Sequence, residues 1–255
     1  MFRKIKEYQF LLEELAKRDF KKKYKRTVLG MLWSILSPLL TLLIMRIVFT
    51  QFFGRGVEHF TTYLFAGNLV FSYFNQSTNE GMGALVNNKG IFSKVPLPKV
   101  MFVLANNVSS LINFLITLAV FFLFAALDGI TFSWRFLMLV YPILCLLVFN
   151  IGVGYILSAL YVFFQDMQYL YSVFTMLLMY LSAIFYQVEQ FPIEVQRLFL
   201  INPVYVYIKY FRIIVIDGNI PSFAFNLIPL GWALGALFLG LWFYKKNDQR
   251  FMYYV

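Results

Sequence analysis

Long apolar stretches alternate with short polar or proline-containing segments from residue 29 to the end of the chain. A helix needs about 20 mostly apolar residues to cross a bilayer, and six stretches meet that length. These are residues 29–52, 63–85, 100–127, 136–163, 169–188 and 223–244. The pattern predicts an all-α polytopic membrane protein, with six transmembrane helices in a single domain covering residues 1–255.

The first 26 residues follow a different pattern, in which apolar side chains recur every three or four positions. Ile5, Tyr8, Leu12 and Leu15 fall on one side, and charged residues occupy much of the rest. This spacing predicts an amphipathic helix that lies flat on the cytoplasmic leaflet. The alternative is a helix docked on another part of the protein.

Basic residues are distributed unevenly along the chain, and this predicts its orientation. Seven of the ten residues 17–26 are Lys or Arg. Ten basic residues in all precede the first apolar stretch, and three more lie in each of the segments 86–99 and 245–255, against five on the opposite side. Short cytoplasmic loops carry the excess of Lys and Arg, so both termini are expected in the cytoplasm. The basic run would also meet anionic headgroups.

Composition excludes several classes of function. Hydrophobic residues make up 61% of the chain and charged residues 13%, so the net charge of +10 belongs beside a membrane and does not indicate a nucleic-acid partner. The sequence has no P-loop, no set of Cys and His with metal-ligand spacing, and a single His59, so neither an enzyme nor a metal site is predicted. Arg46 and Glu80 are the ionisable candidates within the spans, and neither falls near mid-membrane, which gives a secondary transporter little support.

The second apolar stretch is unusually polar, and it supplies most of the candidate pore-lining residues. Amide and hydroxyl side chains recur on one helical face, where they should meet a partner helix or a water-filled path. Tyrosines elsewhere could line a conduit for sugars, because their rings pack on sugar C–H groups while their hydroxyls form hydrogen bonds. The candidates are Asn68, Ser72, Tyr73, Asn75, Gln76, Asn79, Tyr155 and Tyr180.

Three further segments carry specific patterns. The cytoplasmic loop 86–99 holds a short apolar element broken by Gly90, Pro96 and Pro98, which suits a helix presented to a cytoplasmic partner. The segment 189–222 is apolar but interrupted by prolines and charges, which predicts two short helices dipping into the outer face. In the last stretch, "GWALGALFLG" has a G-x-x-x-G spacing that favours close helix approach.

These pieces, in this order, resemble the permease subunit of ATP-binding-cassette polysaccharide exporters, which move lipid-linked O-antigens, capsules and teichoic acids. "RDFKKKYKRTVLGMLWSILSPLL" resembles that family's entry signature, and "NNKGIFSKVPLPKVM" its coupling-helix loop. "FFQDMQYL" resembles the inner loop after the fourth span, with Gln165 where Arg is common. "INPVYVYIKYFR" resembles the Asn-Pro segment of the outer gate helices.

The resemblance implies a half-transporter in a bacterial cytoplasmic membrane, paired with a second copy of itself and with separate ATPase subunits. The chain itself would hold no cofactor, since ATP and Mg would bind the partner subunit. Coupling to the ATPase would fall on Ile91, Phe92, Lys94, Pro96 and Pro98. The gate for the headgroup of a lipid-linked glycan would be formed by Lys21, Lys22, Lys23, Lys25, Arg26 and Trp33.

Other functions stay open at this stage. A permease of the same fold could export a drug or another lipid. A secondary transporter, a channel or a membrane-embedded transferase would work without an ATPase partner.

Overall fold

The computed structural model describes residues 2–24, 27–53, 59–92, 98–248 and 250–254, and within these ranges the regular structure is entirely helical. The helices are α1 (Phe2–Tyr24), α2 (Trp33–Phe53), α3 (Phe60–Met82), α4 (Ala84–Asn87), α5 (Lys89–Phe92), α6 (Val100–Leu127), α7 (Val140–Phe163), α8 (Met167–Leu181), α9 (Ile193–Phe199), α10 (Pro203–Val215), α11 (Phe223–Asn247) and α12 (Phe251–Tyr254). Short 3₁₀ turns lead into α2 and α7.

Four segments in the described part of the chain are long and apolar enough to cross a membrane, which is fewer than the six predicted. They are Gly30–Val48, Val100–Leu127, Trp134–Phe163 and Phe223–Asn247. A fifth is reached if the bent pair α9 and α10 is counted as one span. Helix α3 has the length of a span, but its row of amide side chains makes it less apolar than the other four.

The predicted fifth span, 169–188, is shorter than expected. Helix α8 has 15 residues, or about 22 Å, which falls short of the roughly 30 Å of hydrocarbon in a bilayer. The helix ends at Leu181, and Ala183 has a left-handed backbone with φ of 51° that no α-helix accommodates. The apolar composition of residues 182–188 therefore reflects burial in an irregular segment and does not indicate more helix.

Helix α3 occupies the centre of the bundle, where it packs against α6, α7 and α10. Most of its residues are buried, and Phe65, Phe71 and Phe74 join the larger core cluster. The ring of Phe74 stacks on that of Phe149 of α7 with centroids 5.9 Å apart. A helix this polar is stable at the centre because its polar groups find partners, some within α3, as in the Asn79 amide that donates to Asn75, and others on α6, as in the Ser77 hydroxyl that donates to Asn107.

The closest helix crossing joins α7 to α11, and two glycines make it possible. A Cβ atom added to Gly152 would overlap the backbone of Ala236, and one added to Gly240 would overlap the backbone of Gly152. The G-x-x-x-G pair predicted to mediate close approach behaves differently, because a Cβ at Gly231 or Gly235 would meet no atom within 4 Å. The close approach within this chain therefore falls one to two turns further along the last span.

Helices α9 and α10 bend away from each other by 108°, and the Asn-Pro pair between them explains the sharp start of α10. The Asn202 side chain accepts hydrogen bonds from the backbone N–H groups of Val204 and Tyr205, at 3.0 and 3.4 Å. Pro203 is the first residue of the helix, where its missing N–H costs nothing. The Asn202 amide also donates to the Leu181 carbonyl at 3.1 Å and to the Ser182 hydroxyl at 3.0 Å, which ties α10 to the end of α8.

Candidate functional site

The N-terminal helix α1 docks on the bundle through the end of its apolar face. Leu15 and Ala16 are buried, and Leu15 belongs to a core cluster with Phe102 of α6 and Tyr155 of α7. Nearer the N-terminus, Phe10 is 67% exposed. The alternative of a helix docked on protein is therefore correct for this end of α1, and membrane contact remains a prediction for the exposed part.

Two adjoining cavities lie where α1, the start of α2, α3 and α6 meet, and Lys23 lines both. The first, of about 450 Å³, is formed mainly by the start of α2 and the facing sides of α3 and α6. Its lining residues are Lys23, Thr27, Trp33, Ser34, Ser37, Pro38, Gln76, Asn113 and Thr117. The second, of about 330 Å³, is lined by Arg18, Asp19, Lys23, Glu80, Asn87, Asn88 and Asn106.

Glu80 of α3 is the centre of the polar contacts between the cavities. Its carboxylate accepts from the Lys23 ammonium at 3.3 Å and from the Ser110 hydroxyl at 2.7 Å. The Asn106 amide donates to the Glu80 backbone carbonyl at 2.9 Å. Glu80 therefore connects α1 to α3 and α6. The cation that it binds, Lys23, lines both cavities.

A second contact fixes the same end of α1. The Arg18 guanidinium donates to Asp19 at 2.6 Å and to the Asn88 side-chain oxygen at 2.7 Å. The Asn88 amide donates in turn to the Ala84 carbonyl at 2.8 Å. Arg18 thus joins α1 to the loop that follows α3, which is the loop predicted to contact an ATPase.

The predicted headgroup residues are partly brought together. Lys23 and Trp33 both line the larger of the two cavities. Lys21 is exposed and does not line it. The side chain of Lys22, and all of Lys25 and Arg26, lie outside the described residues. Of the residues predicted to form a gate, the structure therefore brings one cation and one aromatic residue to this cavity, which Ser34 and Ser37 also line.

The amide row of α3 was expected to face a partner helix or a water-filled path. Gln76 lines the larger cavity, whereas Asn68, Ser72, Asn75 and Asn79 are half-buried or exposed along α3. Neighbouring members bond to each other, as in the Asn79 amide that donates to the Asn75 side chain at 2.7 Å. The row is thus a partly exposed polar stripe with hydrogen bonds between neighbouring members, whereas Gln76, whose Nε2 has no hydrogen-bond partner within the described residues, lines a cavity.

The tyrosine candidates lie in three different environments. Tyr73 is 3% exposed in the larger core cluster, where its ring centroid is 4.6 Å from that of Phe114. Tyr155 is 2% exposed and lies 5.2 Å from the ring of Tyr244. Both are packing residues within this chain. Tyr180 is exposed on α8 and lines neither of the cavities described above.

The predicted coupling loop begins as two single-turn helices, α4 and α5, directly after α3. Ile91 packs against the core cluster that also holds Leu15 of α1. Lys94 and Pro96 lie outside the described residues, as does the side chain of Phe92. Pro98 resumes the chain, and its carbonyl accepts from the Met101 N–H at the start of α6, at 3.0 Å.

Sequence reasoning missed the contribution of α6 and of Arg18. Asn106, Ser110, Asn113 and Thr117 follow one another at intervals of three or four residues, so their spacing was a signal that one face of α6 is polar. Arg18 was counted only as one of a run of cations. Nothing in the local sequence shows that it meets Asn88, seventy residues away.

The bundle, with its polar central helix and apolar outer helices, is that of a multi-pass membrane permease. Residues 11–216 match the family model described as ABC-2 type transporter, and the chain belongs to that family. It is 25% identical over 246 residues to the O-antigen export system permease protein RfbA of Myxococcus xanthus, covering 93% of this chain and 95% of the relative.

Two further relatives cover nearly the whole chain. The O-antigen export system permease protein RfbA of Klebsiella pneumoniae is 26% identical over 245 residues, which is 94% of this chain and 93% of the relative. The polysialic acid transport protein KpsM of Escherichia coli is 25% identical over 248 residues, with 94% and 95% covered. The expected resemblance to this family of transporters is thereby confirmed.

Proposed function

We propose that this chain is the permease half of an ATP-driven exporter that moves a lipid-linked cell-surface polysaccharide across the cytoplasmic membrane. Two copies would form the pathway, and separate ATPase subunits would supply the energy. The relatives named as O-antigen and polysialic acid transporters support the polysaccharide, because they align over more than nine-tenths of the chain.

The observation that carries the proposal is the cavity shared by Lys23, Trp33 and Gln76. It lies between the basic end of α1 and the polar stripe of α3, so a substrate that leaves the membrane surface would meet cation, aromatic ring and amide in succession. A lipid-linked glycan offers groups that suit each of them. Phosphate favours the ammonium group, and sugar rings suit aromatic faces and amides.

The Lys23–Glu80 contact gives this entry site a mechanism. Both side chains are about one-third exposed, at 37% and 34%, so the ion pair is worth little and separates easily. A diphosphate that approaches Lys23 would compete with Glu80 for the same ammonium protons. Release of Glu80 would free α1 from α3 and allow the start of α2 to move away.

The loop after α3 is suited to transmit a conformational change of the ATPase subunits to the membrane helices. Helices α4 and α5 continue directly from α3, and Ile91 packs in the same cluster as Leu15 of α1. Arg18 bonds Asn88 in this loop at 2.7 Å. A displacement of the loop would therefore reach α1 and α3 together, which are the two walls that Lys23 and Glu80 join.

The test uses the chain co-expressed with the ATPase encoded beside it and reconstituted in lipid nanodiscs. ATP hydrolysis is measured with and without a lipid-diphosphate-linked glycan. We expect a stable complex whose hydrolysis changes when the glycan is added. A chain that purifies with no ATPase partner would contradict the proposal and return the question to channels and embedded enzymes. If hydrolysis responds to drugs or simple lipids but not to glycans, the chain is still an exporter permease, but its substrate is not a polysaccharide.

The capture role of the basic run is tested separately by charge reversal at Lys22, Lys23 and Lys25, with membrane insertion verified. We expect export to fall strongly. The matched control is charge reversal at Lys245 and Lys246, which lie at the end of α11 and away from both entry cavities. Unchanged export in the first variant would remove the capture role and leave the basic run with orientation alone.

A further inference from the structure

A third cavity, of about 210 Å³, lies at the opposite end of α3 from the two cavities that Lys23 lines, which are called the entry cavities below. Its walls come from the start of α3, the irregular segment after α8, and the second half of α10 with the turn that follows. The lining residues are Tyr63, Gln187, Glu189, Tyr205, Lys209, Arg212, Ile213, Ile216 and Asp217. With both termini in the cytoplasm, this cavity opens on the outer side of the membrane.

Arg212 of α10 forms the buried wall and lacks a matching anion. It is 7% exposed, and no carboxylate in the described part of the chain lies within 4 Å of its guanidinium. Nη2 donates to the backbone carbonyls of Tyr63 and Ile184, both at 3.3 Å, while Nε makes no hydrogen bond. A buried guanidinium whose nearest partners are carbonyl dipoles and an aromatic ring, and not a carboxylate, is costly, which indicates that the arrangement serves a purpose other than stability.

The surroundings of Arg212 are shaped to hold it there. Its guanidinium carbon lies 3.4 Å from the centroid of the Tyr63 ring, a close cation–π contact. A Cβ on Gly67 would lie 2.9 Å from Nη2 and 3.3 Å from the Ile184 Cα, so a larger residue at that turn of α3 would displace the guanidinium. Ala183, next to the Ile184 carbonyl, has the left-handed φ of 51°. Strain of this kind persists where the surrounding structure fixes a functional arrangement.

The mouth of the cavity carries both signs of charge. Glu189 and Asp217 are exposed, and Lys209 is half-buried with its ammonium 6.0 Å from the centroid of the Tyr205 ring. None of the three forms an ion pair within the described residues. Two acids and two cations in one cavity would repel a phosphate or a bare carboxylate as much as attract it. Hydroxyl groups, which both donate and accept, can bond to all four.

The volume narrows the choice of ligand. At about 210 Å³ the cavity is below the range of roughly 300–1,000 Å³ typical of drug-sized ligands. A single sugar ring is a group of suitable size that carries several hydroxyls and has apolar C–H faces for Ile213 and Ile216. A phospholipid headgroup would bring a phosphate and two long apolar chains, which a cavity of this size does not hold.

We propose that this cavity binds one sugar residue of the polymer on the outer side, with Glu189 and Asp217 accepting from its hydroxyls and Arg212 and Lys209 donating to them. The inference rests on the proposed function, since it assigns the exported glycan a contact at the exit. It adds a saccharide subsite on the outer side, at the opposite end of α3 from the entry cavities. An exit subsite of this kind would hold the emerging chain while the ATPase subunits reset.

The first experiment measures binding with the chain in nanodiscs. Hydrogen–deuterium exchange of peptides covering residues 184–190 and 203–217 is followed while oligosaccharides released from the host's own surface polysaccharide are added at millimolar concentration. We expect protection in both peptides. The double variant Glu189→Gln with Asp217→Asn should weaken that protection at least about fivefold in apparent affinity. Glu194→Gln, an exposed acid on α9 outside the cavity, serves as the matched control.

The second experiment separates this inference from the proposed function. Deletion of the gene followed by complementation shows whether the chain exports polysaccharide at all. If polymer export requires the chain, but the double variant binds oligosaccharide and exports polymer as the unmodified chain does, the exit subsite is wrong while the proposed function stands. Protection of the same peptides by inorganic phosphate and not by oligosaccharide would also overturn it. Thermal stability equal to that of the unmodified chain confirms that the variant is folded.

Discussion

At one end of α3, Lys23 lies 3.3 Å from the Glu80 carboxylate, and both side chains are about one-third exposed. At the other end, Arg212 is 7% exposed and has two carbonyls and an aromatic ring in place of a carboxylate. The same central helix thus contacts a cation at each end. The cation at one end is exposed and ion-paired, and the cation at the other end is buried with no carboxylate of the described residues within 4 Å.

The difference indicates different mechanical roles. An exposed ion pair contributes roughly 0–1 kcal/mol and separates at little cost, which suits a contact that opens for substrate. A buried guanidinium is costly to move, because every displacement changes its solvation and its carbonyl contacts. In the proposed orientation, the inner end of α3 is therefore suited to release, and the outer end is suited to stay in place around its cavity.

The largest effect expected at the outer end comes from Gly67→Ala. The added Cβ would lie 2.9 Å from the Arg212 guanidinium and 3.2 Å from the Ile184 side chain, so one of the two must move. We expect the free energy of unfolding to fall by about 1–3 kcal/mol, as for other overpacked interiors. Thermal unfolding in detergent, followed by near-ultraviolet circular dichroism, measures the change.

The control for that substitution is Gly231→Ala on α11, where the new Cβ would meet no atom within 4 Å. Its stability should equal that of the unmodified chain or exceed it slightly, since Ala favours helix over Gly. Equal losses for the two variants would mean that the loss at Gly67 does not come from crowding against Arg212 and Ile184.

The next effect concerns the start of α10. The second half of this helix forms one wall of the outer cavity, so its position depends on how the helix begins. Asn202→Ala removes the cap of the helix and its donors to the end of α8, which should cost about 1–2 kcal/mol. Asn202→Asp keeps the accepting oxygens and loses the amide donors, so it should recover most of the loss. If Asp recovers nothing, the link to Leu181 and Ser182 matters more than the cap.

The same regions show what could be predicted from the sequence. Apolar length and Lys/Arg asymmetry were enough to predict a helical membrane protein, and the Asn-Pro pair correctly marked a break between two short helices. The end of α8 was missed because residues 182–188 are as apolar as a span. Their backbone departs from the helix at Ala183 for reasons that lie in its packing, since it is fully buried beside the carbonyl that Arg212 contacts.

Candidate residues that belong to a local sequence pattern could be predicted, whereas those defined by contacts with distant parts of the chain could not. Gln76 and Lys23 belong to runs with a clear local pattern, and the structure brings both to one cavity. Arg212 looked like an ordinary loop cation, because its meaning comes from Gly67 and Tyr63, roughly 150 residues earlier. The sequence does not distinguish Tyr73 and Tyr155 from tyrosines that line a pore. Only the tertiary packing shows that both are buried.

A smaller effect on stability is expected at the inner end. Lys23→Gln and Glu80→Gln should each change the free energy of unfolding by about 0.2–1 kcal/mol, and the double variant should show a coupling of the same size. The change should shrink at high salt, because exposed charges are screened. Unfolding of the four forms at low and high salt measures it. A coupling above about 3 kcal/mol would contradict a readily released contact and make the two ends of α3 alike.

The smallest effect is a pH dependence at the outer mouth. Asp217 is exposed as a residue, but its carboxylate is partly desolvated, which raises its pKa above the ordinary value of 3.8; nearby Glu189 raises the pKa further, and Lys209 lowers it. Between the unfolded and the folded pKa, the native state binds more protons than the unfolded state, so stability falls as pH rises through that window and is flat above it. Asp217→Asn should abolish this slope, and Glu194→Gln should leave it unchanged. Equal slopes in the Asp217 variant and the unmodified chain would show that Asp217 keeps the protonation behaviour of an ordinary surface acid, and the mouth would then be as wet as the inner end.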